Sequence, residues 1–283
     1  MTRIAIVTDS AANLPPGLVT RYRIQVVPLN LHWDGQAYRD GVDVSAGQLY
    51  QQLRANPDNL PTSSSPSVGD FLRTYTQLSQ EADAIVSIHI AAKLSATFAA
   101  AKHAASLIEG VPREIIDSGT ATMGCGFVVL GAARAAAQGA DLQGVVEAAH
   151  GIMKCVHVYG VLDSLHFVRR SGRVPAVAAI AGSLLDIHPL LYIKDSEAGM
   201  LEMQRTKRRA VRRLLDVVAE KAAGQRIHAA VMHADAAEEA AALRQQLAAR
   251  CDCSELLTTE FTPVLGSYAG PGLLAVAFYP ETA

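Results

Sequence analysis

The sequence is poor in aromatic residues and in charge. Of its 283 residues, 50% are hydrophobic but only 5% are aromatic and 18% are charged, so the apolar content is mainly aliphatic. This composition argues against a disordered chain, a collagen-like chain and a disulfide scaffold. The formal net charge of −2 argues against a protein that binds nucleic acid or an anionic membrane through bulk charge. We therefore expect a folded chain with no nucleic-acid partner.

Common motifs of metal sites and of enzymes are also missing. The four cysteines form no C-x-x-C pair, and the nine histidines form no H-x-H or H-E-x-x-H pattern. There is no G-x-x-x-x-G-K-[ST], no G-x-G-x-x-G between a strand and a helix, and no G-x-S-x-G. We expect reduced thiols, no metal, and no catalytic residue of a standard enzyme type.

No signal peptide and no membrane-spanning helix is predicted. Only four apolar residues precede the sequence TDS at the N-terminus, which is too short for the core of a signal peptide. The longest uncharged run, Phe261 to Pro280, is long enough to span a membrane, but it contains prolines and the turn-forming sequence GSYAGPG. These patterns predict a soluble, cytoplasmic protein.

Short β-branched runs alternate with alanine-rich stretches in the first half of the chain, which indicates an α/β fold with a mostly parallel sheet and covering helices. Several predicted helices follow a Ser, Thr or Asp of the capping type. The predicted strands are Arg3–Thr8, Ile24–Leu31, Ala84–Ile90 and Glu114–Ile116, and the predicted helices are Ser45–Ala55, Ser67–Glu81, Ser95–Ile108, Met123–Gln138 and Leu142–Met153.

In the second half, strands outnumber helices, so we expect some antiparallel neighbours in an α+β mixed sheet. This change places a domain boundary near Cys155, with domains at residues 1–154 and 155–283. No linker rich in Gly, Ser or Pro marks the boundary, so the domains should pack closely. The predicted strands are Val156–Leu162, Ile187–Lys194, Leu201–Gln204, Ile227–His233, Ser254–Thr259 and Leu273–Phe278.

A loop rich in hydroxyl groups precedes the predicted helix at Ser67. Thr62, Ser63 and their serine neighbours lie between two prolines in the sequence PTSSSPS. Such a cluster can surround an anion with O–H and backbone N–H donors at a helix N-terminus. A polar loop with a serine cap explains the same composition without a ligand.

Two further segments carry candidate ligand contacts. Ser95 follows a buried strand and precedes a helix, so it is either an N-cap, a ligand contact or both. Tyr268 lies in VLGSYAGPG, where glycines allow a close approach of the backbone and hold the phenol in one place. A plain hairpin-like connection explains this second segment equally well.

The dipeptide Asp-Ser ends two predicted strands, at Asp9 and at Asp117. Ligands collect at the carboxyl ends of parallel strands, so both aspartates are candidates for a binding or catalytic site. The alternative is that Asp and Ser start a turn and cap the next helix.

Two basic clusters lie in the second half. Arg169, Arg170 and Arg173 surround a Ser-Gly turn, and six cations occur between Arg205 and Arg213 without an acid. On one helix, residues 205, 209 and 213 would share a face and repel one another. A solvated face is the usual explanation, and an acidic partner or a phosphate is the alternative.

The ordered set of segments resembles one known family over essentially the whole chain. The segments are IAIVTDSAANLP, VVPLNLHWDGQAYRDGVD, LPTSSSPSVGDF, VSIHIAAKLSATFAAA, IIDSGTATMGCG, LDSLHFVRRSGRVPAVAAIAGSLLDIHPLL, QRTKRRA and GPG. They resemble the DegV family, whose members include the fatty-acid-binding subunits of bacterial fatty acid kinase. The resemblance implies a two-domain DegV-like (EDD-type) fold with a long-chain fatty acid between the domains and no other cofactor.

The resemblance also implies which residues bind the fatty acid carboxylate. The family's TSQPS loop aligns so that Ser63, with Thr62 beside it, stands where the family has a carboxylate-binding threonine. Its LSGT segment makes Ser95 the second contact. Tyr268 stands where a histidine commonly contacts the carboxylate, so a neutral phenol replaces a group that can carry charge. Segments Val174–Leu185 and Ile187–Leu191 are candidates for the aliphatic slot that holds the tail.

The function implied is that of a ligand-binding subunit and not of an enzyme. It would present the carboxylate to a separate, ATP-dependent kinase subunit of the dihydroxyacetone-kinase-like type, which forms an acyl phosphate. Arg169, Arg170 and Arg173 are the expected docking residues. One alternative, favoured by Tyr268, is a lipid carrier or sensor without a kinase partner. The other is a small-molecule hydrolase or transferase that uses Asp9 or Asp117.

Overall fold

A four-stranded parallel sheet forms the centre of the first half. The computed structural model describes residues 3–174, 177 and 187–281. The strands of this half are β1 (Ile4–Asp9), β2 (Gln25–Val27), β3 (Asn30–Trp33), β4 (Gln36–Arg39), β5 (Thr62–Ser64), β6 (Ala84–His89) and β7 (Arg113–Asp117). The parallel sheet has the order β2-β1-β6-β7, and β6 is buried along its whole length. Burial on both faces is typical of parallel strands covered by helices.

Most helices of the first half begin at or near the positions that capping residues in the sequence predicted. Ser45 and Ser67 both form capping boxes, with Gln48 and Asp70 respectively. The helices are a 3-10 turn (Ser10–Ala12), α1 (Pro16–Arg21), α2 (Ala46–Ala55), α3 (Val68–Leu78), α4 (Thr97–Ser106), α5 (Thr122–Ala137) and α6 (Leu142–Met153).

One predicted strand is wrong. The segment Ile24–Leu31 forms two strands in different sheets, because β2 ends at Val27 and β3 begins at Asn30. Pro28 separates them, and proline has no N–H with which to continue a sheet ladder. The strand β3 instead lies between β4 and β5 in a small antiparallel sheet.

A six-stranded mixed sheet forms the second half, as the excess of strands predicted. Its order is β10-β9-β8-β13-β11-β12, and β11 and β12 are its parallel pair while the other neighbours are antiparallel. The elements are β8 (His157–Val161), α7 (Leu165–Ser171), β9 (His188–Lys194), β10 (Glu197–Gln204), α8 (Lys207–Ala222), β11 (Ile227–His233), α9 (Ala237–Arg250), β12 (Cys253–Glu260), α10 (Pro263–Ala269) and β13 (Leu274–Pro280).

The GSYAGPG segment is only in part the turn cluster that its glycines indicated. Residues Pro263 to Ala269 form the helix α10, Pro271 and Gly272 form a turn, and Leu274–Pro280 form β13. Proline is well suited to the first position of a helix, because its fixed φ is helical and its missing N–H needs no partner. Among the described residues, no helix is long and apolar enough to cross a membrane.

The two halves share a hydrophobic core. One buried cluster contains Ile6 and Phe127 of the first half together with Val158 and Ala277 of the six-stranded sheet. A second cluster fills the space between that sheet and the helices α8 and α9. The shared cluster agrees with the expected close packing, whereas the domain boundary after residue 154 remains a prediction that falls between α6 and β8.

Candidate functional site

A cavity of about 410 Å³ lies between the two halves. The first half contributes β5, the loop after β6 and the start of α5, and the second half contributes β8, β9, β13 and α10. Most of the wall is aliphatic, including Leu29, Ile90, Leu94, Val158, Leu162, Val168, Val174, Leu191, Ile193, Leu265 and Leu273. Of the predicted aliphatic slot, Val174 and Leu191 line the cavity, and most of the segment 174–185 lies outside the described residues.

Hydroxyl groups from both halves meet at this cavity. The strand β5 places Ser63, and the helix α10 places Tyr268, in its wall. Their oxygens form a hydrogen bond, so two residues 205 positions apart in the sequence contact each other. The guanidinium carbon of Arg173 lies 4.8 Å from the centre of the Tyr268 ring, which is a cation–π contact. The neutral phenol therefore has a positive charge beside it.

Ser95 also lines the cavity, in a loop held by neighbouring residues. Its hydroxyl bonds to the Thr97 hydroxyl at 2.8 Å and accepts a hydrogen bond from the Thr97 N–H at 3.3 Å. The predicted N-cap position is wrong by one residue, because α4 begins at Thr97 and Ala96 precedes it. The carboxylate of Asp117 accepts hydrogen bonds from the N–H groups of Ala92 and Gly119, which ties the start of the Ser95 loop to the end of β7.

Thr62, a predicted ligand contact, is exposed and does not line the cavity. It directly precedes Ser63 in β5, and successive side chains of a strand point to opposite faces. The role of Thr62 as a ligand contact therefore stays a prediction. Ser64 and Ser65 of the predicted hydroxyl cluster also line the cavity. Sequence reasoning missed two further hydroxyl residues of the cavity, Thr122 and Ser171, whose only signal was a hydroxyl next to a turn.

The three predicted docking arginines separate in the structure. Arg173 lines the cavity, and Arg170 donates a hydrogen bond to the Asp58 carbonyl in the loop before β5. Arg169 lies in the last turn of α7 and is not a cavity residue. Of the three arginines, Arg173 alone lines the cavity.

The second basic cluster lies away from the cavity. Arg205 precedes α8, so it does not share the helical face that the spacing predicted. Arg213 forms salt bridges with Glu202 at 2.7 Å and with Glu220 at 2.8 Å. A separate groove of about 420 Å³ between α8 and α9 is lined by Lys207, Arg208, Arg209, Arg212, Arg250 and Glu239, among others.

A fully buried row of side chains lies behind the cavity wall. The Asp9 carboxylate lies 2.9 Å from His89 Nδ1, and His89 Nε2 lies 2.7 Å from the Ser87 hydroxyl. This order is that of a catalytic triad. However, Ser87 is wholly buried and bonds to the Tyr75 hydroxyl, and none of these side chains lines the cavity. A substrate has no access to this serine, so the row gives no support to an enzyme that uses Asp9.

The Asp9 carboxylate instead holds backbone in place. It accepts hydrogen bonds from the N–H groups of Ala11 and Ile90, both of which line the cavity. Asp117 acts in the same way on the Ser95 loop. Both Asp-Ser sequences therefore agree with the turn-forming interpretation. Among the described residues, no group of three or more His, Cys, Asp or Glu side chains is placed to hold a metal ion.

Comparison with known proteins gives consistent matches over the whole chain. The model of the DegV family, described as a family of uncharacterised proteins, matches residues 3–281. A DegV domain-containing protein of Streptomyces coelicolor is 36% identical over 275 residues, which are 96% of this chain and 97% of that protein.

Solved structures match equally well. A DegV family protein from Thermus thermophilus, described with fatty acid binding, is 32% identical with a TM-score of 0.92 over 98% of this chain and 99% of that one. DegV from Bacillus subtilis, described as a fatty acid binding protein, is 29% identical with a TM-score of 0.90 over 99% of this chain and 100% of that one.

Proposed function

The chain belongs to the DegV family, and from this premise we propose that it binds a long-chain fatty acid in the cavity between its halves. The observation that carries the proposal is the composition of that cavity, in which aliphatic walls meet the hydroxyls of Ser63, Ser95 and Tyr268. Two similar proteins of solved structure are described as binding fatty acids. The proposed ligand has the same two parts, an aliphatic tail and a carboxylate.

The energetics of such a ligand suit this cavity. Each buried methylene contributes about 0.8 kcal/mol, so a tail of about sixteen carbons offsets the cost of ordering it. The volume of about 410 Å³ falls within the range of about 300–1,000 Å³ that is usual for small-molecule sites. The tail therefore supplies the affinity, and the hydroxyl groups fix which end of the ligand lies where.

Neutral donors suit a carboxylate that must react later. Hydroxyl groups stabilise the anion by hydrogen bonds without the strong ion pair that would hold its charge in place. In our proposal Arg173, whose guanidinium lies over the Tyr268 ring, supplies a positive charge near the carboxylate without a direct ion pair. We assign the carboxylate contacts to Ser63, Ser95 and Tyr268, and Thr62 remains a neighbour of Ser63.

The proposed role of the complex is to present the carboxylate to a separate ATP-dependent kinase in the cytoplasm. A carboxylate oxygen would attack the γ-phosphorus of ATP, and the bond to the ADP oxygen would break, which gives an acyl phosphate and ADP. In this proposal the kinase subunit carries the nucleotide and the catalytic groups. Arg169 and Arg170, next to the cavity on α7, are the proposed docking residues.

Native mass spectrometry of protein purified from cells tests the binding proposal. We expect a bound mass that matches an acid of about 14–18 carbons, because a tail of that length provides the required burial. The matched control is the variant with Ser63→Ala and Ser95→Ala, which should retain less of the acid. An empty cavity in every wild-type preparation, including those supplied with palmitic acid, would overturn the proposal.

Charge reversal tests the docking proposal separately. The variant R169E/R170E should bind palmitic acid normally and support less acyl phosphate formation with the dihydroxyacetone-kinase-like subunit of the same organism. R21E/K102E reverses two charges that lie away from the cavity, and it serves as the control. Equal acyl phosphate formation by both variants would contradict docking at α7, and no acyl phosphate formation with the wild type would favour a carrier or sensor that needs no kinase.

A further inference from the structure

The helix that carries Tyr268 does not cap its own N-terminus. In α10 the N-cap residue Thr262 makes no side-chain cap hydrogen bond, and Pro263 follows it with no N–H to offer. The helix has only seven residues, so the N–H groups of its first turn are a large share of its polar backbone. These groups need acceptors from elsewhere, because a buried N–H without a partner is costly.

The acceptors come from the first half of the chain. Asp40 Oδ1 accepts a hydrogen bond from the Val264 N–H at 2.8 Å, and Asn13 Oδ1 accepts one from the Thr262 N–H at 3.0 Å. These pairs are separated by 224 and 249 residues. Asp40 and Asn13 are each only 2% exposed. The N-terminus of α10 is therefore fixed by side chains that do not belong to its own half.

Asp40 is itself held firmly in the first half. Its N–H donates to the Leu29 carbonyl at 2.8 Å, and its other carboxylate oxygen accepts a hydrogen bond from the Ser10 hydroxyl at 2.6 Å. The Ser10 oxygen also accepts a hydrogen bond from the Leu29 N–H. Leu29 lines the cavity, so Asp40 is connected both to the cavity wall and to α10.

Burial of the Asp40 carboxyl group at this position costs free energy. Burial raises the pKa of Asp40, and the hydrogen bonds from Ser10 and Val264 oppose that rise. In the described parts of the chain, no cation forms a salt bridge with Asp40. A buried carboxyl group that accepts hydrogen bonds but has no counter-charge gives little net stability, and it does fix the geometry of the groups that donate to it.

Val264 and Tyr268 are four residues apart in α10, so they lie one above the other on the same side of the helix. A shift of the Val264 N–H thus moves Tyr268 in the same direction. We propose that Asp40, assisted by Asn13, is a positioning residue that holds Tyr268 against Ser63 at the carboxylate end of the cavity. The inference rests on the proposed function, because it assigns a task to Tyr268 in ligand binding.

Substitution at Asp40, combined with Tyr268→Phe, tests this role. D40A should lower the affinity for palmitic acid about 5- to 20-fold, as expected for the loss of one or two hydrogen bonds, and D40N should recover most of it because its amide oxygen still accepts from Val264. In the Y268F background D40A should have less than about a twofold effect. The control is D43N, an exposed aspartate three residues away.

An equal loss in both backgrounds would mean that Asp40 acts on the fold in general, and it would overturn the proposal. An unchanged affinity in D40A would do the same. If D40A does not fold, N13G takes its place in the cycle, because glycine tolerates the φ of +55° at this position and removes the acceptor for Thr262.

A second measurement separates this inference from the proposed function. The carbon-13 resonance of the Tyr268 ring carbon bonded to oxygen, assigned with Y268F in lipid-free protein, should shift in D40A or N13G, shift much less in D40N, and stay unchanged in D43N. If the wild type binds no palmitic acid, the proposed function fails while this resonance still tests the positioning of Tyr268. A resonance that stays unchanged in folded D40A, D40N and N13G would contradict the positioning role.

Discussion

Ser95 and Tyr268 place hydroxyl groups at the same cavity, but the chain holds them in different ways. The Ser95 loop is held by Thr97, two residues away, and by Asp117, which lies in the same half. Tyr268 is held by Ser63 and, through the N-terminus of α10, by Asp40 and Asn13. One contact is therefore set within a half, and the other exists only when the halves are packed together.

This difference has a functional consequence. A change in the packing of the two halves breaks the bonds from Asp40 and Asn13 to α10, whereas the bonds from Thr97 and Asp117 that shape the Ser95 loop lie within one half, so the two sides of the carboxylate site should differ in their response. Affinity for the ligand and the approach of the halves are then linked, because a ligand that needs both hydroxyls also stabilises the packed arrangement. Substitutions that affect one side and not the other test the comparison directly.

The largest effect is expected from Gly266→Ala in α10. A Cβ atom at this position would lie 2.4 Å from the Tyr50 hydroxyl oxygen, so either the helix or the buried Tyr50 ring must shift. We expect a loss of stability toward the upper end of about 1–3 kcal/mol and a loss of palmitic acid binding. Urea unfolding and calorimetric titration measure the two losses.

The control for this change is Gly47→Ala in α2, where the new methyl group meets nothing within 4 Å. A matched rescue is also available, because Tyr50 is buried and its hydroxyl has no hydrogen-bond partner in the described structure. Tyr50→Phe should be tolerated and should restore part of the binding of Gly266→Ala. If Gly266→Ala binds palmitic acid as the wild type does, α10 does not control Tyr268.

A second effect concerns the ion pair between the halves. Arg134 in α5 donates to both carboxylate oxygens of Glu255 in β12, at 2.7 and 2.9 Å. Burial opposes ionisation of Glu255, but the hydrogen bonds from His228 and Arg134 prevail and lower its pKa from 4.5 to about 2. Because the pKa is lower in the folded state, the ionised carboxylate stabilises the protein above about pH 4.5, and this stability is lost as the pH falls toward about 2.

Glu255→Gln should therefore lower the free energy of unfolding by about 1–2 kcal/mol at pH 7, and the difference from the wild type should shrink as the pH falls below 4.5. Glu197→Gln breaks the exposed pair with Lys93, which also joins the halves, and it should have a smaller effect. Urea unfolding at several pH values measures both variants. A difference that does not depend on pH would contradict the assigned cause.

The smallest effect is expected on the Ser95 side. Asp117→Ala removes the acceptor for the N–H groups of Ala92 and Gly119, which should cost about 1 kcal/mol in palmitic acid affinity, as the loss of a capping side chain does. The Tyr268 resonance should not change, because the residues that hold α10 are Asp40 and Asn13 and not Asp117. Calorimetry and carbon-13 spectra test this, and a shifted Tyr268 signal would show that the two sides are not independent.

Local features of the fold could be predicted from the sequence. The helix Leu142–Met153 and the strand Ile227–His233 have the predicted bounds, because a capping aspartate or a β-branched run marks them within a few residues. The predicted strand Ile24–Leu31 is two strands that Pro28 separates, and the continuous run of apolar residues did not reveal this break. The short helix α10 was missed because glycines on both sides of Tyr268 favour a turn, and its N-terminal acceptors lie in the first half.

For the site too, the sequence showed which residues are candidates but not how distant segments pack against one another. The family resemblance named Ser63, Ser95 and Tyr268, and all three line one cavity. Thr62, which was predicted with them, does not line the cavity, and sequence proximity alone does not show which face of β5 a side chain occupies. Arg173 was assigned to a partner surface only, since its contact with the Tyr268 ring depends on the packing of α7 against α10. The resemblance therefore identified residues of both halves, but the contacts that these residues make across the halves depend on packing that the sequence does not show.

The central claim is that this cavity binds a fatty acid carboxylate through hydroxyls from both halves. Calorimetric titration of palmitic acid into delipidated wild type and into S63A/S95A tests it most directly, with S79A/S106A as a control that removes two hydroxyls outside the cavity. We predict one site per chain and an affinity about 10- to 100-fold lower in S63A/S95A, because two hydrogen bonds to a charged acceptor are lost. Equal affinities of all three proteins for palmitic acid, or no binding by the wild type, would contradict the claim.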